Sequence, residues 1–311
     1  MVFGRITYKR LDTWSLGAEY SVKPLSAFTL VAGFGFDALI PKKYWGKDDE
    51  FAQMLGALYY VVRSDAMRLF TWQLGAFYQP VKDHELRLTY ARKNHFPNMS
   101  QRYSTRFGDV LPNPSLGPEM ANHFEFGYEG WATDTLKLNT AVYYSKVMDK
   151  IVNVQIPNPN NPISAVDYAR NLDESSFYGF ELGAGFYLNE MFNCGGAFSL
   201  NKYSIDYNQS GEIMVLSYYP QVTANAFIEI RPMKKLSIIP RYEYTGSRYG
   251  DTGGVNKLSA YGLASIKATV DINNHLSLSA GVSNIFDKLY EIREYFPMAG
   301  RAYTASLTVK R

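Results

Sequence analysis

Cysteine is almost absent: Cys194 is the only one among 311 residues, so no intrachain disulfide can form and the redox compartment cannot be read from the sequence. Long hydrophobic runs are missing too. No uninterrupted apolar stretch reaches the ~18 residues of a transmembrane helix, and the mean hydropathy is −0.23. A membrane wall made of strands passes that test, because only alternate residues need be apolar. The formal net charge of +3 is too small to argue for a nucleic-acid partner. The opening residues, MVFGRITYKR, hold no apolar core of an export signal. His84, His95, His123 and His275 are scattered over turns, a loop and strand ends without metal-ligand spacing. With no phosphate loop, nucleophile motif or converging set of groups, neither an enzyme nor a bound cofactor or metal is expected.

Aromatic residues, by contrast, are plentiful, with 25 Tyr and 19 Phe, as strand-rich walls and aromatic girdles require. The stretch 93–131, KNHFPNMSQRYSTRFGDVLPNPSLGPEMANHFEFGYEGW, has two halves of opposite character. Up to Pro118 it is rich in Pro, Asn, Ser, Gly and Arg without a hydrophobic period, which reads as a long loop with fixed turns. After Glu119 strict alternation begins. Phe124, Phe126 and Tyr128 face one way and Glu125, Gly127 and Glu129 the other, the mark of a strand with two unlike faces.

The same pattern recurs along the chain. Strands are expected at 2–9, 13–22, 28–39, 71–79, 85–92, 136–145, 177–187, 195–205, 221–230, 236–245, 264–271, 276–283 and 302–311. A further hairpin is expected near 54–62, and the Asn- and Pro-rich stretch between 145 and 177 reads as a loop. Pro240, inside SIIPRYEYT, predicts a bulge, because a closed wall has no edge where a missing N–H is harmless. Connections alternate between short turns and long loops, as the two ends of an outer-membrane barrel do. A soluble sandwich or propeller also alternates, but without that regular succession. A cation at the lipid midplane costs ~2–4 kcal/mol, so Arg87, Lys137 and Lys267 belong to the lumen. The expected fold is all-β, an antiparallel transmembrane β-barrel in the outer membrane, with about 14 strands present.

Three segments carry a resemblance. PNPSLGPEMANHFEFGYEG, preceded by HFPNMSQRYSTRFG, resembles the Asn-Pro-x-Leu-x-Pro-Glu box of TonB-dependent outer-membrane receptors and the aromatic-Glu-aromatic-Gly-Tyr strand that follows it. NLDESSFYGFELGAGF is similar to a later strand of that family, and GVSNIFDKLYEIREYFPMAGRAYTASLTVKR to its C-terminal end. The family's barrel has roughly twenty-two strands around a folded plug, so the resemblance implies that residues 1–311 are the C-terminal portion of the barrel with the plug absent. It also implies contact with TonB only through that missing plug, and outer-membrane lipid as surroundings. Read from the residues alone, Pro112, Pro114 and Pro118 make a rigid descent from loop to wall. Asn284 and Asp287 are placed to bond local amides, and Gly300 is expected to supply an unusual φ.

Arg102, Tyr103, Arg106 and Phe107 in one outer loop, with Tyr168 and Arg170 in the next, are the expected ligand-binding set. Cationic and aromatic groups together suit an anionic metal chelate. The resemblance implies uptake of a scarce nutrient of iron–siderophore, haem or cobalamin type. A self-contained fourteen-stranded passive pore and an adhesin-like binding barrel remain open alternatives.

Overall fold

Alternating side chains leave a strand one wet face and one greasy face, and most of this chain obeys that rule. The computed structural model describes residues 8–45, 66–103, 110–113, 115–158, 161–206 and 215–309. Its elements in order are β1 (Tyr8–Leu25), β2 (Phe28–Trp45), β3 (Met67–Tyr78), β4 (His84–His95), the short helix α1 (Met99–Tyr103), β5 (Val110–Leu111), β6 (Glu119–Trp131), β7 (Leu136–Asn158), β8 (Asn161–Tyr187) and β9 (Phe192–Asp206). There follow β10 (Val222–Met233), β11 (Leu236–Thr245), β12 (Arg248–Tyr249), β13 (Lys257–Leu258), β14 (Tyr261–Asn273), β15 (Leu276–Ser283), β16 (Glu291–Arg293), β17 (Phe296–Pro297) and β18 (Ala302–Val309).

One 14-stranded sheet holds all the long strands, in the order β1-β2-β3-β4-β6-β7-β8-β9-β10-β11-β14-β15-β18, with β5 alongside β8. Neighbours on that path are antiparallel, as tight turns dictate. Among the described residues β1 and β18 are the two ends of the path, and no folded plug lies beside the wall.

The faces separate cleanly. Tyr90 stands opposite Phe124, Phe124 opposite Tyr144, and Tyr144 opposite Tyr178, a row of aromatics across four strands. Phe124 and Ile228 are each 48% exposed and Leu278 is 46% exposed, the condition of side chains whose solvent is acyl chain. The other face is tied by polar pairs across neighbouring strands. Arg87 Nε meets Glu125 Oε1 at 2.8 Å, Lys137 Nζ meets Glu129 at 2.7 Å, Ser15 donates to Asp37 at 2.6 Å and Ser277 to Asp271 at 2.6 Å. The buried hydrophobic cluster lies instead above the wall, where Leu116, Ile151 and Ala169 meet.

The structure corrects several expectations. The stretch after residue 145 is not a loop: β7 and β8 pair in one register from Leu136↔Phe186 to Pro157↔Ala165, with a rung missing only at Asp149, whose φ is 55. The hairpin therefore rises roughly 40 Å past the girdle at ~3.3 Å per residue. Val147, Val154 and Val166 are buried there, so a second layer protects a segment whose Asn and Pro content reads as loop. Pro240 causes no bulge. Phe227↔Arg241 and Ile230↔Ile238 keep one register, and Pro240↔Ile266 continues the ladder on the other side. Between those two pairs the rungs toward β10 opposite Ile239 and Pro240 are missing, so the absent N–H faces β10.

The break expected between 9 and 13 is likewise absent, since β1 runs on through this stretch with only a register irregularity at Arg10/Leu11 and another at Val22/Leu25 beside the turn. Residues 1–7 and the hairpin expected at 54–62 lie outside the described residues. Gly300 has no left-handed φ. Asn284 (φ 49) and Asp287 (φ 52) carry that conformation. Asp287 Oδ1 accepts from Arg301 N at 2.7 Å, and a Cβ on Gly300 would collide with that oxygen. Glycine is required there for room, not for backbone freedom.

Candidate functional site

Above the girdle, the Pro-rich segment latches onto the projecting β7–β8 hairpin. β5 adds to the free edge of β8, in parallel, at Asp167 and Tyr168. Asn113 Nδ2 donates to Ala169 O at 2.8 Å, Leu116 is buried against Ile151 and Ala169, and Glu119 Oε1 accepts from Ile151 N at 2.6 Å. Asn171 completes the latch, accepting from Gly117 N at 2.8 Å and donating to Asp149 O at 2.7 Å. The Asn, Leu and Glu of one sequence motif thus grip the β7–β8 hairpin at Ile151 and Ala169, while Gly117 of the same motif meets Asn171, the opening Asn of another. At the head of the segment, Asn98 and Gln101 cap α1 reciprocally, each side chain accepting from the other's backbone N–H at 2.8–2.9 Å, the arrangement of a capping box.

The wet face below this latch carries a cluster of rings. Phe177 pairs with Tyr203 across β8 and β9. Tyr219, in the connection to β10, stands edge-on to Tyr203 with centroids 5.4 Å apart and to Phe177 at 6.0 Å. Lys150 Nζ lies 5.2 Å over the Phe177 ring, within cation–π range. Tyr143 donates to Asn201 Oδ1, which in turn donates from Nδ2 to Ser199 Oγ at 2.8 Å. His123 stacks on Tyr143 at 5.8 Å and reaches Ser145 Oγ from Nδ1 at 2.5 Å. Burial pushes the Tyr219 phenol up, so it stays a neutral donor at ordinary pH. The cluster offers ring faces, phenolic hydroxyls and one ammonium. Among the described residues no group of three His, Cys, Asp or Glu side chains could hold a metal ion.

Arg102 lies in α1 with 0% of its surface exposed, inside the cap rather than on a ligand-facing surface. Tyr103 ends the same helix, while Arg106 and Phe107 lie outside the described residues. Tyr168 and Arg170 are half-buried on β8, opposite Val154 and Val152. Among the described side chains of this set, Arg102 is buried in α1 while Tyr168 and Arg170 lie on β8. Sequence reasoning missed Tyr143, Phe177, Tyr203 and Lys150. Parity carried a signal for three of them: Tyr143, Phe177 and Tyr203 are aromatics at positions where neighbouring residues of the same phase are polar.

A second rim element lies between β11 and β14. There Val255 N and Asn256 N donate to the Asp251 carboxylate at 3.1 and 2.5 Å, with Gly254 at φ 73 turning the loop. Burial alone would raise this carboxyl, but the amides of Asn256, Val255, Gly254 and Gly253 outweigh it and hold the group below the usual carboxylate range. Folded Asp251 therefore binds its proton less readily than the unfolded residue. Its contribution is complete above about pH 4 and fades as pH falls through the lower folded value. The protection of the amides of residues 251–256, taken relative to their intrinsic exchange rate at each pH, is expected to fall on acidification from pH 5 to 3 in the wild type and to stay flat in Asp251→Asn, which starts less protected.

An antiparallel wall with acyl-facing aromatics, a hydrogen-bonded wet face and long loops at one end only is part of an outer-membrane β-barrel. The family described as TonB dependent receptor-like, beta-barrel, matches residues 4–285, and the chain belongs to it. The family comprises transporters of the bacterial outer membrane, not enzymes. The vitamin B12 transporter BtuB of Photobacterium profundum is 25% identical over 243 residues, covering 77% of this chain and 38% of that protein. The iron-regulated outer membrane virulence protein of Vibrio cholerae serotype O1 is 23% identical over 215 residues, covering 65% of this chain and 32% of that one. The chain thus spans about a third of the length of these relatives. Among solved structures, the copper transporter OprC superposes with a TM-score of 0.77 at 16% identity, covering 96% of this chain and 48% of its own. The closed ferric-catecholate import receptor Fiu of K12 E. coli gives 0.72 at 17%, covering 97% and 45%.

Proposed function

We propose that this chain is the C-terminal portion of a receptor that captures a scarce nutrient of iron–siderophore, haem or cobalamin type at the cell surface. It supplies the wall and the outer loops, while energy from the TonB system enters through the plug, in the rest of the receptor. The observation that carries the reading is the ring cluster of Phe177, Tyr203 and Tyr219 under Lys150. Flat, electron-rich ligands stack on such faces, and one ammonium selects negative charge. Loop residues Tyr103, Arg106 and Phe107, with Tyr168 and Arg170, are proposed to close over the ligand. The names of the relatives, which speak of vitamin B12 and iron, support the class of cargo. The self-contained pore has less support, since among the described residues the first and last strands do not pair.

The test is fluorescence titration of the refolded chain with a ferric catecholate, haemin and cyanocobalamin. One of the three is expected to quench saturably, and Tyr203→Ala with Lys150→Ala is expected to weaken it about tenfold or more, the loss typical of removing aromatic and cationic anchors. Equal binding by wild type and variant overturns the assignment.

A further inference from the structure

Lys150 reaches the ring cluster from the opposite phase of its strand. On β7, Tyr144 and Lys146 belong to the outward phase: Tyr144 stands opposite Tyr178 and Lys146 opposite Ser176, and Lys146 Nζ pairs with Glu174 at 2.8 Å. Tyr143 and Ser145 belong to the wet phase, and Ser145 stands opposite Phe177. Lys150 keeps the count of Tyr144 and Lys146 and stands opposite Leu172, so strict alternation sends it outward. Its Nζ nevertheless lies 5.2 Å over Phe177, a ring of the wet face.

The residue before it accounts for the crossing. Asp149 has φ 55, a left-handed backbone inside a strand, and between Leu136 and Pro157 it is the one position without a rung to β8. Such a residue bends its strand and re-aims the side chains that follow. The β6–β7 ladder ends at the same place, with Met120↔Met148, so β7 leaves the wall there. Side chains take the backbone groups at the turn, as half-buried polar groups require. Asn171 Nδ2 donates to Asp149 O at 2.7 Å, and Glu119 Oε1 accepts from Ile151 N at 2.6 Å. These two bonds, on either side of Lys150, hold the turn in one geometry.

We propose that Asp149 is a positioning residue for the ligand site: its left-handed turn, held by Asn171 and Glu119, swings Lys150 across the β7–β8 hairpin so that the ammonium faces negative charge on a ligand stacked against the rings. The inference rests on the role proposed above for the ring cluster. The residue type fits the task. Aspartate is among the few residues other than glycine that enter this conformation readily, whereas a β-branched residue resists it and favours the extended strand. The cationic half of the site is therefore set by backbone geometry, through a residue that acts on the ligand only by way of Lys150.

The test uses the full 311-residue chain refolded into vesicles, with haemin and its dimethyl ester as probes, which share a ring and differ in carboxylate charge. Wild type is expected to prefer haemin about tenfold, the order of one charge-assisted contact. Asp149→Val and Lys150→Ala are each expected to abolish that preference while holding the ester within about twofold of wild type, and the double variant to lose no more than either alone. Asp149→Gly, free to keep the turn, is expected to retain the preference. Preference kept in Asp149→Val, lost in Asp149→Gly, or replaced by an equal weakening of both probes overturns the proposal. Side-chain direction is also read without a ligand, because a label at position 150 follows its backbone. In a Cys194→Ser background, nitroxides on Lys150→Cys and Tyr219→Cys are expected to move apart when Asp149→Val is added and to keep their distance with Asp149→Gly. Equal distances in all three overturn the proposal. Should wild type bind neither probe, the haem-type reading of the ring cluster falls and this distance alone decides the role of the turn.

Discussion

Ile228→Arg is expected to cost the folded wall about 2–4 kcal/mol, the penalty for a cation near the bilayer midplane. Asn225→Arg, on the other face of β10, is expected to stay within about 0.5 kcal/mol of wild type, as surface changes do. The contrast isolates the assignment of faces. Ile228 and Asn225 share one strand and one pair of neighbours, so backbone propensity and tilt cancel between the two variants. Urea titration of the chain refolded into vesicles, read by heat-modifiable migration, supplies both numbers. Similar losses for the two variants would mean that the polar face of β10 is not a water-filled surface.

Gly179→Val is expected to be the most damaging change within the ring cluster. A Cβ at this position would lie 2.6 Å from the Tyr143 ring and 2.7 Å from the carbonyl oxygen of Leu200. The ring can rotate away. The carbonyl cannot, because Leu200 is held opposite Phe180 in the β8–β9 ladder. Overpacking of this kind costs about 1–3 kcal/mol, and the displaced ring gives up its hydrogen bond to Asn201 and its stack on His123. Combining Gly179→Val with Tyr143→Ala separates the two causes. Recovery of part of the lost stability in the double variant assigns that part to the ring, and no recovery assigns all of it to the backbone. Ligand affinity should fall in both, since each removes the phenol from the cluster.

The wall was legible because its physics is local. Once Phe124, Phe126 and Tyr128 alternate with Glu125 and Glu129, a single slip would put every carboxylate into lipid, so parity alone assigns the faces of β6 and of its neighbours. Turn chemistry placed the short connections for the same reason. The projecting hairpin was not legible. Its residues after 145 are stabilised by Leu116, Asn113 and Glu119, which arrive from a distant part of the chain, and local composition carries no trace of that cover. Pro240 misled in the opposite direction, because whether a missing N–H matters depends on which neighbour it faces. Gly300 was noticed for the wrong property, since the need for space beside Asp287 is a tertiary fact. The ring cluster lay half in view: Tyr143 and Tyr203 break the polar phase of their strands, but Tyr219 and Lys150 join them only through the fold.

The long ladder from Leu136 to Pro157, held in one register and broken only at Asp149, also makes the β7–β8 hairpin a stiff mast. A dye or spin label fixed at Ser164, beside the exposed Ile163, would swing through a narrow cone, so its distance from the bilayer reads out tilt of the whole wall rather than wandering of one loop. For an antibody arriving from outside, the same stiffness presents a pre-shaped ridge and spares the entropy of ordering a floppy epitope.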